Sequence, residues 1–341
     1  MTENKNMISF IIPLYNAAEY VGSCIDAILQ QKYPNWELII VDDGSTDNSL
    51  DICMNYAYKD NRIKVVSEEN SGSAVARNRG LAEASGEWIA FIDADDSIND
   101  DYLDKLVPKL SYKYDFVMFS YNEINGVNSI DMRNSQEEIM IDSKKLGLLT
   151  KDVIDTERRL FELYSSRSQV WTKLYKKSFL DDNNISFDPK LRMCQDVMFN
   201  LKVYMHAKTA IYLPYNIYNY RILQGSTCHK YSSNQVERII ELTRIMDDYV
   251  INNYLDSDSK LLMDKRKLVS LVNCCRLDFC HKDNPKSYKD RCKSFQELRQ
   301  QDIFKEAINI SVIKDFSFKK QICMWLVKFN WFWAINLYLR R

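Results

Sequence analysis

Residues 87–96 read EWIAFIDADD. Trp88, Ile89, Ala90, Phe91 and Ile92 form an apolar run suited to a buried strand. Three carboxylates follow within four positions: Asp93, Asp95 and Asp96. Buried strands do not tolerate unpaired charge, so the apolar run must end where the acids begin. A strand opening into a solvated turn explains a single Asp, whose side chain bonds nearby backbone amides. Three acids so close repel one another unless a cation lies among them. Mg²⁺ commonly takes one or two carboxylates together with phosphate oxygens. The stretch therefore points to a metal–phosphate site at the end of a strand.

The sequence on either side supplies a fold for that site. ISFIIPL (8–14) is a β-branched apolar run, as in a strand buried on both faces. WELIIVDDGS (36–45), IKVVSEE (63–69) and DFVMFSYNEI (115–124) read as further strands. Between them, Tyr20, Val21, Cys24, Ile25, Ile28 and Leu29 fall at helical spacing, and Asn16 with Glu19 has the spacing of a capping box, which predicts a helix from Asn16. DNSLDICMNYAY, SAVARNRGLAEA and DYLDKLVPKL read as helices as well. Alternating strands and helices predict an α/β fold, a mostly parallel sheet with helices on both faces. Ligands of such sheets bind outside the carboxyl ends of the strands. Those ends carry PLYN, VDDGSTD, SEENSGS and DADDS, so four polar clusters are expected on one edge.

Composition narrows the class. The chain has 341 residues, 46% hydrophobic and 27% charged, with a formal net charge of -1. That suits a globular protein and gives no support for nucleic-acid binding. Nine cysteines show no CxxC pair and no zinc spacing. MTENKNMISF lacks a basic stretch followed by an apolar core, so the expectation is a cytoplasmic protein with reduced, packing cysteines.

No GxGxxG and no GxxxxGK[ST] occurs, which disfavours the common dinucleotide and phosphate-loop folds. A nucleotide can bind by other contacts: an acid accepting from a base imide, a ring stacking on the base, a metal bridging the diphosphate. Asp43, Tyr15 and the Asp93/Asp95/Asp96 cluster offer these in order. Tyr15 alone would read as packing, and Asp42–Asp43 before Gly44 as a turn leading to a helix cap at Ser45 or Thr46. Their expected convergence on one sheet edge weakens both readings.

FIIPLYN, IIVDDGSTDNS, NSGSAVARNRGLAEASGEWIAFIDADD and the later QDVMFN resemble the family 2 glycosyltransferases, in that family's order and over roughly the first two-thirds of the chain. The resemblance implies a GT-A fold, a nucleotide-sugar donor, a divalent cation (Mn²⁺ or Mg²⁺) and inversion at the anomeric carbon. It places Pro13, Tyr15, Asp42, Asp43, Arg77, Asn78 and Asp93 at the donor, with Tyr15 stacked on uracil and Asp43 bonded to it. Asp95 or Asp96 would ligate the metal, with Asp93 a further candidate. Asp196 would be the base that takes the acceptor's proton. It also opens an expected helix, where the macrodipole favours an acid. The family usually has Glu-Asp there; this chain has Gln195-Asp196. YRILQGSTCHK (220–230) resembles the family's basic loop, with Arg221 and Lys230 over the diphosphate and His229 a candidate metal ligand, although a lone polar-loop His is more often solvated. Trp171 and Lys173 are expected on the acceptor side, with core packing the favoured reading of Trp171.

The expected organisation is a catalytic domain over residues 1–230, with a donor half of about 1–110 and an acceptor half of about 111–230, then a helical region over 231–341. The tail from Lys319 to Arg341 has five basic residues, no acids and six aromatics. On one helix, Ile322, Trp325, Leu326, Phe329, Phe332, Trp333 and Leu337 would share a face, suiting either a membrane interface or packing on protein. The expected function is transfer of a hexose or N-acetylhexosamine from a UDP-sugar to a glycan or lipid-linked acceptor in surface polysaccharide assembly, at the inner face of the plasma membrane if the tail binds lipid. Two rivals stand beside it: a nucleotidyltransferase, and a degenerate nucleotide-binding or scaffold protein.

Overall fold

The computed structural model describes residues 6–155, 163, 166–223, 231–253, 257–305, 307–309, 316 and 318–339. Two compact units divide it: Met1–Val153 with Arg159–Gln224, and Ile154–Arg158 with Gly225–Arg341, each within the described residues.

The first unit is built on a 10-stranded sheet. Its strands are β1 (Ile8–Leu14), β2 (Trp36–Asp42), β3 (Ile63–Ser67), β4 (Trp88–Phe91), β5 (Ser97–Ile98), β6 (Phe116–Asn125), β7 (Asn128–Asp131), β8 (Ile139–Ile141), β9 (Lys173–Lys176) and β10 (Ala210–Arg221). They run in the order β3-β2-β1-β4-β9-β6-β10-β5, with β7 on β6 and β8 on β10. β3, β2, β1 and β4 pair in parallel, as do β6 and β10. β9 is antiparallel to both β4 and β6, which leaves those two strands running the same way.

Helices α1 (Val21–Leu29), α2 (Ser49–Lys59), α3 (Ser73–Glu83), α4 (Tyr102–Leu106), α5 (Ser143–Ile154), α6 (Lys177–Asp182) and α7 (Gln195–His206) complete the alternation. β1 is buried along nearly its whole length, as its unbroken apolar run requires. Gly80 lets α3 close on that strand: a Cβ there would lie 2.3 Å from Cγ2 of Ile11. On β4, Phe91 packs edge-on to Tyr175, Phe187 and Phe199, at centroid distances of 6.0, 5.3 and 5.8 Å. This aromatic core binds β4, β9 and α7 into one block beneath the strand's acidic end.

The first helix starts later than the capping-box spacing predicts. It begins at Val21, and Asn16 adopts a left-handed φ of 49°. The Asn16 side-chain oxygen accepts instead from the Thr46 backbone N–H at 2.7 Å. A contact between the loops after β1 and β2 thus takes the atom that a helix cap would have used.

The second unit is helical: α8 (Gln235–Asn253), α9 (Ser257–Cys274), α10 (Tyr288–Arg299), α11 (Asp302–Lys305), α12 (Phe318–Lys328) and α13 (Phe332–Leu339). α8 and α9 are joined by a buried hydrogen bond from Thr243 to Ser270 at 2.8 Å and by a Lys267–Asp247 ion pair at 2.7 Å. Ser287 caps α10 by accepting from the Asp290 N–H. The tail is not one helix: it breaks at Asn330, whose φ is 59°. The expected face is divided: Phe332 is buried and Ile322 and Leu326 are half-buried, while its other members are exposed. Cys323, Met324, Val327, Phe332 and Ile335 are buried, while Trp325, Phe329, Trp333 and Leu337 are exposed. Among the described residues no helix is long and apolar enough to cross a membrane.

Candidate active site

The carboxyl ends of β1 to β4 converge. The backbone N–H of Asp43 donates to Leu14, that of Glu68 to Asp42, and that of Ile92 to Ile11. Pro13 and Tyr15 stand at the end of β1, with Tyr15 51% exposed, so its ring is open to stacking. Asp42 is buried, accepting from the Ser45 N–H at 3.2 Å and the Ser67 hydroxyl at 3.1 Å. Asp43, also buried, accepts from the backbone N–H groups of Ser71 at 2.6 Å and Gly72 at 2.9 Å. It thereby fixes the turn into α3. Gly72 adopts a left-handed φ of 94°, which a side chain would strain.

The three acids after β4 occupy different environments. Asp96 is buried and both its oxygens are engaged, by the Tyr218 hydroxyl at 2.6 Å and the Arg221 backbone N–H at 2.8 Å. Burial, followed by the charge of Asp93, pushes its carboxyl well above the usual range. Asp93 pairs with Arg77 at 2.8 Å, and its backbone N–H donates to the Tyr218 hydroxyl. Asp95 is half-buried, and its carboxylate bonds only its own backbone among the described residues. Burial and the charge of Asp93 raise its pKa, and Arg221 partly offsets them. Of the two expected metal ligands, Asp95 is therefore the one with open oxygens.

Among the described residues no group of three His, Cys, Asp or Glu side chains is gathered around a cation position. The donor set nevertheless fits a divalent ion that takes the rest of its shell from phosphate and water. Asp95 is open, Asp93 keeps one oxygen away from Arg77, and both the burial and the Asp93 charge that raise the Asp95 carboxyl would be offset by a cation. His229 and Lys230 lie outside the described residues.

Arg77 joins this cluster to the segment carrying Asp196. Its guanidinium is 8% exposed and lies 2.8 Å from Asp93 and 3.5 Å from Asp196. It also donates to the Gln195 side-chain oxygen at 3.3 Å, and that oxygen accepts from the Ser73 hydroxyl at 3.1 Å. Burial opposes the Arg77 charge, but Asp196 and Asp93 outweigh it and raise its pKa. Gln195 thus occupies a place where a Glu would set a third carboxylate on the same guanidinium. Burial raises the pKa of Asp196, with Arg77 pulling it down and Asp93 pushing it up. A carboxylate held above its ordinary range is a better proton acceptor than a solvated one.

Other expected residues brace the site. The Asn78 side chain donates to the Phe187 carbonyl and accepts from the Phe187 N–H, both at 2.9 Å. Its amide is thus spent on the backbone before α7. Arg221 donates from Nε to the Asp95 carbonyl at 2.9 Å, and its guanidinium lies 5.4 Å from the Tyr20 ring centroid. Trp171 is core, stacked on Tyr218 at 4.4 Å and Tyr220 at 5.4 Å. Lys173 is fully buried and donates to the carbonyls of Ser166 at 2.7 Å and Gln169 at 2.6 Å. Burial lowers its pKa well below that of a free lysine. It therefore holds the turn that leads through Trp171 into β9.

Tyr218 completes the site and was not singled out by sequence. One Tyr218 hydroxyl links Asp93 to Asp96. The signal for it is faint: Tyr218 is one of three tyrosines in YNIYNY (215–220), of which alternation places only some inward.

Four parallel strands with acids at their carboxyl ends, an exposed ring beside them, and a buried arginine leading to a further carboxylate define a GT-A-type sugar-transfer domain. The sequence model of "Glycosyl transferase family 2" matches residues 9–167. The glycosyltransferase GlyA of Streptococcus pneumoniae serotype 4 is 33% identical over 240 residues, covering 69% of this chain. The chain spans only 33% of GlyA's own length. GlyG of the same organism is 30% identical over 228 residues, 65% of this chain and 73% of GlyG. The crystal structure of S. aureus TarS 1-349 in complex with UDP-GlcNAc superposes with a TM-score of 0.71 at 22% identity, covering 97% of this chain and 90% of that one. The chain belongs to the family 2 glycosyltransferases and has their GT-A fold. Membership sets the nucleotidyltransferase reading aside.

Proposed function

We propose that the chain is an inverting glycosyltransferase that moves a sugar from a UDP-sugar to a hydroxyl of a surface glycan or of its lipid-linked precursor. The observation that carries this reading is the Arg77 guanidinium, paired with Asp93 on the donor side and with Asp196 on the other. Tyr15 stacks on the base and Asp43 bonds it, with Asp42 behind. Asp95, with Asp93, would hold a divalent cation, Mn²⁺ or Mg²⁺, whose chemistry there would be Lewis-acid stabilisation of the charge on the leaving diphosphate. The acceptor oxygen forms its bond to the anomeric carbon as the bond to the diphosphate breaks. Its proton passes to a carboxylate oxygen of Asp196. Displacement from the opposite face inverts the centre and requires no covalent intermediate.

The curated S. aureus relative at 25% identity is named a poly(ribitol-phosphate) beta-N-acetylglucosaminyltransferase. That name, with the UDP-GlcNAc complex of TarS, supports a UDP-N-acetylhexosamine as the first donor to try. A lipid-linked acceptor would bring the enzyme to the inner face of the plasma membrane, where the aromatic tail offers a contact. The test is nucleotide release from a panel of UDP-sugars with Mn²⁺. Slow hydrolysis of one donor, lost in Asp95→Ala, is expected. Equal release by Asp95→Ala would reject the site.

A further inference from the structure

The second unit carries a cluster of exposed aromatics that the transfer chemistry does not use. Trp325, Phe329, Trp331 and Trp333 are 44%, 54%, 52% and 63% exposed. Trp325 stacks on Phe329 at 5.5 Å, and Phe329 lies 5.7 Å from Trp331. The Lys328 ammonium sits 5.5 Å from the Trp325 ring centroid. Contiguous exposed aromatics of this kind mark an interaction site.

The corner that presents them is well built. The Trp331 N–H donates to the Leu326 carbonyl at 2.9 Å and the Asn330 N–H to Val327 at 3.2 Å. With Asn330 left-handed, this is a Schellman stop between α12 and α13. Arg299 reaches in from α10 and donates to the Lys328 carbonyl at 2.8 Å. The same Arg299 lines a cavity of about 470 Å³, together with Gln300, Lys305 and Ile308. Among the described lining residues Arg299 and Lys305 are basic, and Arg299, already donating to the Lys328 carbonyl, is shared with the aromatic corner.

We infer that this corner forms a docking surface for an anionic lipid bilayer, the aromatics entering the interface and the lysines beside them meeting the lipid phosphates. Charge selects this occupant. From Phe318 to Leu339 there is no acid, while Lys319, Lys320 and Lys328 accompany the exposed rings. Trp and Lys together favour the boundary between headgroups and acyl chains, and basic residues there draw the chain to anionic lipid. The inference uses the second unit alone, so its failure would leave the glycosyl-transfer reading standing.

The test is flotation of the full chain with vesicles of phosphatidylcholine, alone or mixed with phosphatidylglycerol. The wild type is expected to bind the anionic vesicles about tenfold or more better than the neutral ones, and less at high salt. Two variants should each lose that binding: Trp325→Ala/Phe329→Ala/Trp331→Ala, and Lys319→Glu/Lys320→Glu/Lys328→Glu. The second leaves the rings in place, so it tests charge without altering the apolar packing. Circular dichroism would show both still folded. No binding to anionic vesicles, or equal binding by wild type and variants, overturns the inference. So does dimerisation in analytical ultracentrifugation that the aromatic triple variant abolishes, since a second copy would then cover the rings.

Discussion

Replacing Arg77 by Met removes the only guanidinium paired with both Asp93 and Asp196 among the described residues. The methionine fills similar volume, so the change chiefly deletes charge. Breaking a buried ion pair costs about 3–5 kcal/mol when one partner stays behind uncompensated. Here the carboxylates are 27% and 28% exposed. Water reaches them, and the cost falls to about 2 kcal/mol. For a unit of this size that is a drop of about 4–8 °C in Tm, measurable by calorimetry. Function supplies a sharper readout. Arg77 pulls the Asp196 pKa down against burial, so its removal moves that pKa further up. A base must be ionised to act, and activity falls as pH drops through its pKa. The acid limb of kcat/KM for nucleotide release should therefore shift to higher pH in Arg77→Met. Arg77→Lys should recover part of the stability and not the activity, because one ammonium cannot span both carboxylates and Gln195. A folded Arg77→Met variant with an unmoved acid limb and less than about a threefold loss of rate would refute the reasoning.

Four further outcomes follow from the site and its scaffold. Asp95→Asn should raise the Tm of the metal-free protein at neutral pH: a carboxyl whose pKa is raised on folding adds stability only while protonated and loses it as pH rises. Mn²⁺ should raise the wild-type Tm and leave Asp95→Asn unchanged in thermal-shift measurements. Tyr218→Phe removes the hydroxyl between Asp93 and Asp96 and leaves a buried carboxylate oxygen without its donor; denaturant titration should show a loss of about 1–3 kcal/mol. Gly80→Val should be far worse than surface changes on α3, because its first side-chain carbon already meets Ile11; soluble yield and Tm would both fall.

The strands were legible because burial on both faces demands unbroken apolar runs, and each run ended abruptly in polar residues. Parallel pairing then put those ends on one edge, so Asp42, Asp43 and the acids after β4 could be placed together from sequence. What sequence could not show was the division of labour among neighbours. Asp95 and Asp96 are adjacent and chemically identical, and it is the Tyr218 hydroxyl and the Arg221 backbone N–H, 122 and 125 positions from Asp96, that separate their roles. Asn78 follows Arg77 on the same helix, yet its amide is satisfied by Phe187, 109 positions away. The start of α1 was misplaced for a like reason: Asn16 has a capper's spacing, but Thr46 claims its oxygen. In the tail, periodicity predicted one amphipathic helix. A left-handed Asn330 divides it and turns the tryptophans outward.

In the proposed reaction Asp196 takes the proton while a separate set of residues holds the donor. The most direct test is Asp196→Asn, with UDP binding measured by calorimetry and turnover measured beside it. UDP affinity should stay within about twofold of wild type while turnover falls by about 10²–10⁴. Wild-type turnover in Asp196→Asn, or loss of UDP binding together with turnover, would contradict it.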